Sequence, residues 1–157
     1  MAADLPVHLV AGPLGSGKTT AILDYLNRHA GDQRVGVLVN DFGPLGLDGA
    51  IVEAGTEADP EIVSLPGGCV CCAGSGGLLD ALLQLDQRED LDRLLIEPSG
   101  LAEPAQVLSL IEQVAGQSRL APHPTIVLLA APDFDADRYE RMPYYRSLVD
   151  AADVLVL

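Results

Sequence analysis

The chain has 157 residues, is 48% hydrophobic, and carries a formal net charge of −14. That length suits one α/β domain with a proper core, and the charge argues against nucleic acid, whose binding depends on Lys/Arg neutralisation of phosphates. No apolar run approaches a membrane span, and residues 1–6 are too short and polar for a signal peptide. All three cysteines fall within positions 69–72, which gives no disulfide framework and leads to the expectation of a reducing, cytoplasmic compartment.

In chain order, Val7–Ala11 reads as a short apolar strand. It runs into Gly12-Pro-Leu-Gly-Ser-Gly-Lys-Thr19, a complete match to the phosphate-binding pattern G-x-x-x-x-G-K-[ST]. Lys18 is the chain's single lysine, and eight arginines supply the other basic side chains. The chemistry accounts for each residue type. Glycines let backbone N–H groups close around phosphates, the lysine neutralises the β/γ oxygens, and the Thr19 hydroxyl can ligate Mg²⁺. Gly12, Gly15, Ser16, Gly17, Lys18, Thr19 and Thr20 are the candidate nucleotide-binding residues. A helix over Thr20–Ala30 would turn its N-terminus to the anion.

Val35–Val39 is a second buried-type strand, followed by a long Gly/Pro/acid-rich stretch over Gly43–Pro60. Ile62–Leu65 reads as a brief strand, and Gly77–Leu85 as a helix buried over most of its surface. Leu94–Glu97 is a strand, and Pro104 opens a helix to about Val114. Thr125–Ala130, a helix over Tyr144–Ala151 and a core strand over Val154–Leu157 complete the pattern. Asp133–Asp137 reads as a solvated loop or helix start. The three histidines are scattered and read as packing or surface residues, with His123 a conceivable fourth metal ligand. Continuous apolar strands flanked by helices imply an α/β fold with a mostly parallel sheet covered on both faces.

Gly68-Cys69-Val70-Cys71-Cys72 places three thiols in a glycine-bounded segment where they can converge on one ion. Thiolates favour soft or borderline cations: Zn²⁺ first, with Cu(I), Co²⁺ or Ni²⁺ open as alternatives. Three ligands leave a tetrahedral site open, which suits exchange. A closed structural zinc site holds its metal by about 10–16 kcal/mol, whereas coupling between two sites typically supplies about 1–3 kcal/mol. The other reading of these thiols is a small buried or oxidisable patch.

Leu94-Leu-Ile-Glu-Pro-Ser-Gly100 puts an acid at a strand end with glycine three residues on. Beside a phosphate loop, Glu97 can hold Mg²⁺ through water or position an attacking water, and the Gly100 N–H can sense a γ-phosphate. Lys18, Glu97 and Gly100 are therefore the candidate catalytic residues. Hydrolysis is expected to be slow, because no obvious Gln or Arg is placed to complete the site. Two other classes remain open: a P-loop ATPase or small-molecule kinase with structural cysteines, and a non-catalytic metal-responsive binding module.

These elements, in this order, resemble the CobW family of P-loop GTPases (the CobW/HypB/UreG class), metallochaperones and metal insertases related to the nickel chaperones of hydrogenase and urease maturation. The landmarks are residues 12–20, Asn40-Asp-Phe-Gly-Pro-Leu-Gly-Leu-Asp48, Gly68–Cys72, Glu97-Pro-Ser-Gly-Leu-Ala-Glu-Pro104 and Ala152–Leu157. The resemblance implies a P-loop NTPase fold and GTP bound at Lys18 and Thr19. It further implies Mg²⁺ supported by Thr19 and Glu97, and a transition metal captured by Cys69, Cys71 and Cys72. It gives Asn40–Asp48 a switch role, with Asp48 at the GTP/Mg²⁺ site. Asp41 stands where relatives usually carry Glu, and is a further candidate metal ligand. An apo-metalloprotein client and a second copy of the chain are the implied partners. Relatives continue past a strand like Val154–Leu157 with N-K-x-D, whose Asp reads guanine, and then with a smaller C-terminal domain. The chain is accordingly expected to be the N-terminal nucleotide-binding part of a longer protein.

Overall fold

Apolar runs become the strands of a single sheet, and the glycine- and acid-bounded segments between them become its helices and turns. A computed structural model describes residues 4–29, 32–39, 61–64, 75–131 and 135–157. The element order is β1 (Leu5–Ala11), α1 (Lys18–Arg28), β2 (Val35–Val39), β3 (Glu61–Ser64), α2 (Ser75–Asp86), β4 (Arg93–Glu97), α3 (Pro104–Ala115), β5 (Leu120–Pro122), β6 (Ile126–Leu128), α4 (Ala136–Arg141), α5 (Pro143–Ala151) and β7 (Val154–Val156). The stretch expected as a long loop, Gly43–Pro60, lies outside the described residues.

Strands lie in the order β3-β2-β4-β1-β6-β7, with β5 pairing β1 beside that row. All the pairings are parallel. A parallel sheet needs crossovers, and these put helices on both faces. On one face Leu5, Val7 and Leu9 of β1 and Leu94 and Ile96 of β4 pack with Leu78, Leu82, Leu85, Val107, Ile111 and Leu148 from α2, α3 and α5. On the other, Val10, Val35, Val37, Val39 and Leu95 meet Ile22 and Leu26 of α1. The alternation along β1 and β4 is the period of two that sends successive side chains to opposite faces.

Three sequence expectations change. Helix α2 is less enclosed than expected: Leu83 is 44% exposed, because the helix lies on one face of the sheet and its apolar stripe is wider than the contact. The strand expected over Thr125–Ala130 is only Ile126–Leu128, and a separate strand, β5, precedes it. Pro122 and Pro124 lack the N–H a continuous ladder needs, so the chain pairs with β1 in two short pieces. Strand β7, expected in the core, lies at one end of the strand order, pairs with β6 alone among the described residues, and leaves Val154, Leu155 and Val156 exposed.

Leu82 is fully buried between α2 and the sheet. Leu82→Ala is expected to cost about 3 kcal/mol through lost transfer energy and the cavity left behind. Urea denaturation checks this, the midpoint falling while the slope holds.

Candidate functional site

Strands β1 and β4 are parallel neighbours, with Leu9 opposite Ile96, so both release their chains at the same edge. The phosphate loop leaves β1 there and Glu97-Pro-Ser-Gly100 leaves β4. In open α/β sheets the carboxyl edge is where ligands bind.

Three loop glycines adopt positive φ: Gly12 at +150°, Gly15 at +77° and Gly17 at +91°. Side-chain-bearing residues rarely reach that region. Gly12 is doubly constrained, since a Cβ there would lie 2.3 Å from the Leu128 carbonyl oxygen. Gly17 is the N-cap of α1 and supplies no side-chain cap, which leaves first-turn N–H groups for an anion. Thr20 is exposed on that first turn. The Ser16 hydroxyl is buried and makes no hydrogen bond among the described residues. An unsatisfied buried polar atom costs about 1–3 kcal/mol, so an arriving acceptor or donor would be favoured there.

Lys18 is only 6% exposed. Its ammonium donates to the Gly12 carbonyl at 3.0 Å and to that of Pro13 at 2.9 Å, two of its three donors spent on the loop that carries it. Thr19 Oγ1 donates to Glu97 Oε1 at 2.8 Å, joining α1 to the end of β4. Burial pushes the Glu97 carboxyl above its ordinary value, opposed by the Thr19 hydrogen bond and by Lys18. Burial likewise holds Lys18 below its ordinary value, opposed by Glu97. A phosphate would add the negative charge Lys18 lacks. The hydroxyl and carboxylate oxygens of Thr19 and Glu97 form a hard donor pair of the kind Mg²⁺ takes, so the residues present fit that ion.

The Glu97–Gly100 turn rests directly on the phosphate loop. A Cβ on Gly100 would sit 2.6 Å from Leu14 N and 2.9 Å from Leu14 Cα, so glycine is needed for that approach. The turn is closed by Ala102 N–H donating to Ser99 O at 3.0 Å. On its other side, the Tyr144 hydroxyl of α5 donates to Gly100 O at 2.6 Å.

The structure therefore gathers Gly12, Gly15, Ser16, Gly17, Lys18, Thr19, Glu97 and Gly100 at one edge. Asp41, Asp48 and the whole Asn40–Asp48 segment, with Cys69, Cys71 and Cys72, lie outside the described residues. His123 does not join this edge: its N–H bonds Val7 O midway along β1, and its ring meets that of His8 at 5.2 Å. Sequence reasoning placed a helix over Tyr144–Ala151 and a loop or helix start at Asp133–Asp137, but not the position of this α4–α5 pair beside the phosphate loop. Arg138 and Tyr145 line a cavity of about 240 Å³ whose other walls are Pro13, Leu14, Ser16 and Ala130. An arginine thus stands beside the phosphate loop although no motif marks it. The one sequence signal was Asp135, which caps α4 by accepting from Arg138 N–H at 2.7 Å.

A phosphate loop on a parallel sheet with an acid at the neighbouring strand end defines a P-loop nucleotide-binding domain. The family model described as CobW/HypB/UreG, nucleotide-binding domain, matches residues 6–157, and the chain belongs to that family of P-loop GTPases. It is 34% identical over 149 residues to the zinc chaperone YeiR of Escherichia coli, covering 95% of this chain and 44% of that protein. The zinc chaperone CobW of a Sinorhizobium species is 37% identical over 109 residues, covering 67% of this chain and 30% of the relative. The chain thus spans less than half the length of these relatives. The hydrogenase maturation factor HypB from Archaeoglobus fulgidus shares the fold, with a TM-score of 0.64 at 19% identity, over 97% of this chain and 64% of that one.

Glu97 gives a signed test. Its carboxyl holds a proton more tightly folded than unfolded, so stability falls as pH rises from the ordinary carboxylate value through the raised one. In nucleotide-free protein with a chelator present, Glu97→Gln is expected to melt above wild type at neutral pH. The two should converge below about pH 4. Thermal melts across that range check it; a variant that melts lower at neutral pH contradicts it.

Proposed function

We propose that this protein binds GTP with Mg²⁺ at the phosphate loop, hydrolyses it slowly, and couples the nucleotide state to carrying a transition metal, zinc first, to an apo-metalloprotein client. The observation that carries the reading is the joined site at the carboxyl edge: buried Lys18, the Thr19–Glu97 hydrogen bond and Gly100 against Leu14. In this reading Lys18 neutralises the β/γ oxygens, Thr19 and Glu97 hold Mg²⁺, and the Gly100 N–H meets the γ-phosphate. Bound Mg²⁺ supplies charge neutralisation at the phosphates.

The metal half rests on Cys69, Cys71 and Cys72, with Asp41 as a further ligand, and on the printed names of the YeiR and CobW relatives as zinc chaperones. Co²⁺ and Ni²⁺ remain within the chemistry of the same thiolates. Topology supports proximity between the two sites. Ser64 pairs with Val39, and Val39 pairs with Glu97, so the three stand in one row at the sheet's carboxyl edge. Two strand spacings separate Ser64 from Glu97, about 10 Å. Cys69 follows Ser64 by five residues, a chain reach of at most about 17 Å. The strand that precedes the thiol segment, β3, therefore ends at the edge that carries the phosphate loop. A cytoplasmic location and pairing with a second copy belong to the same proposal. Among the described residues no helix is long and apolar enough to cross a membrane.

Titration of the full-length protein with a fluorescent GTP analogue, with and without zinc, tests the reading. Reciprocity requires the two affinities to shift by one common factor, expected at about fivefold or more. Lys18→Ala should abolish nucleotide binding while metal binding persists, and replacing the three cysteines by serine should erase the zinc effect on GTP. Identical GTP affinities in the two conditions remove the coupling. Tighter binding of ATP than GTP shifts the protein to the ATPase or kinase class.

A further inference from the structure

Helix α5 reaches the nucleotide edge twice, through adjacent residues. Tyr145 is buried and lines the cavity against Pro13, Leu14 and Ser16, while the half-buried Tyr144 donates its hydroxyl to Gly100 O at 2.6 Å. Their rings meet edge to face at 6.1 Å, so each steadies the other. We propose that Tyr144 is a positioning residue for γ-phosphate recognition, acting by fixing the orientation of the Gly100 turn. The inference rests on the GTP-binding reading above and assigns a residue that no motif marks.

Contact with Leu14 demands glycine at position 100, and glycine has the widest backbone freedom of any residue. A turn that must present an N–H to a phosphate is thus built on the residue least able to hold a direction. Two restraints compensate. The Ala102 N–H to Ser99 O bond closes the turn from within, and Tyr144 pins the Gly100 carbonyl from outside. Holding that carbonyl restricts rotation of the peptide on the far side of Gly100, leaving its N–H fewer orientations to lose when a ligand arrives. Preorganisation of this kind raises affinity for the group that the ordered N–H contacts. GDP has no γ-phosphate, so its affinity is independent of the restraint.

Tyr144→Phe removes the hydroxyl and keeps the ring packed against Tyr145. The full-length variant is assayed for GDP, for a non-hydrolysable GTP analogue and for steady-state hydrolysis. GDP affinity is expected to stay within about twofold, while analogue affinity and kcat/KM fall together by about fivefold, the scale of one neutral hydrogen bond. Ser147→Ala is the control, since among the described residues Ser147 Oγ bonds only within α5, donating to Tyr144 O at 2.8 Å. It should leave the GTP-to-GDP ratio unchanged. An unchanged ratio in Tyr144→Phe, or an equal loss for both nucleotides with a lower melting temperature, overturns the proposal and leaves the nucleotide site standing. A wild-type protein that binds neither nucleotide overturns both.

Discussion

The hydrogen bond from Thr19 Oγ1 to Glu97 Oε1, 2.8 Å long, ties together the two segments that the sheet releases at its carboxyl edge. Everything at the site depends on that junction. Helix α1 carries Lys18 and Thr19 in its first turn, and β4 ends on Glu97, so one short contact sets the loop, the helix N-terminus and the acid in register. The sheet makes the junction possible by running β1 and β4 in parallel as neighbours. The glycines let it close: Gly12 comes under the Leu128 carbonyl and Gly100 against Leu14, where any Cβ would force the backbones apart.

The same junction carries two ionisable groups on which burial acts. Lys18 and Glu97 are both drawn toward neutrality by burial, and each only partly compensates the other. Ser16 adds a buried hydroxyl that has no hydrogen-bond partner among the described residues. Such features usually mark places where function is favoured over stability. A chain with a net charge of −14 places its single lysine here, and sets Arg138 on the flank of the same loop.

Much of this was legible because the responsible forces are local. Positive-φ backbone demands glycine, phosphate demands Lys and N–H groups, and buried parallel strands demand unbroken apolar runs. Hence the phosphate loop, Glu97 and most strands could be read from residue type and spacing. What could not be read depends on distant partners. Strand β5 is three residues with no period, held by its pairing to Leu5–Val7 and ended by proline. The exposure of β7 depends on its place at the end of the strand order, which composition does not encode. The Tyr144 bond to Gly100 spans 44 positions, and two adjacent tyrosines on an amphipathic helix look like ordinary core. The thiol segment is legible as chemistry through its spacing, and its three-dimensional setting lies outside the described residues.

The central claim is that the Thr19 hydroxyl and the Glu97 carboxylate act as one unit on Mg²⁺–nucleotide. A double-mutant cycle of Thr19→Val and Glu97→Gln, read as the Mg²⁺-dependent part of GTP-analogue affinity, addresses it most directly. A single unit requires that each change weaken the Mg²⁺-dependent affinity, and that the double variant be little worse than the worse single, a coupling of about 1 kcal/mol or more. Losses that simply add would show two independent residues that happen to touch, and would contradict it.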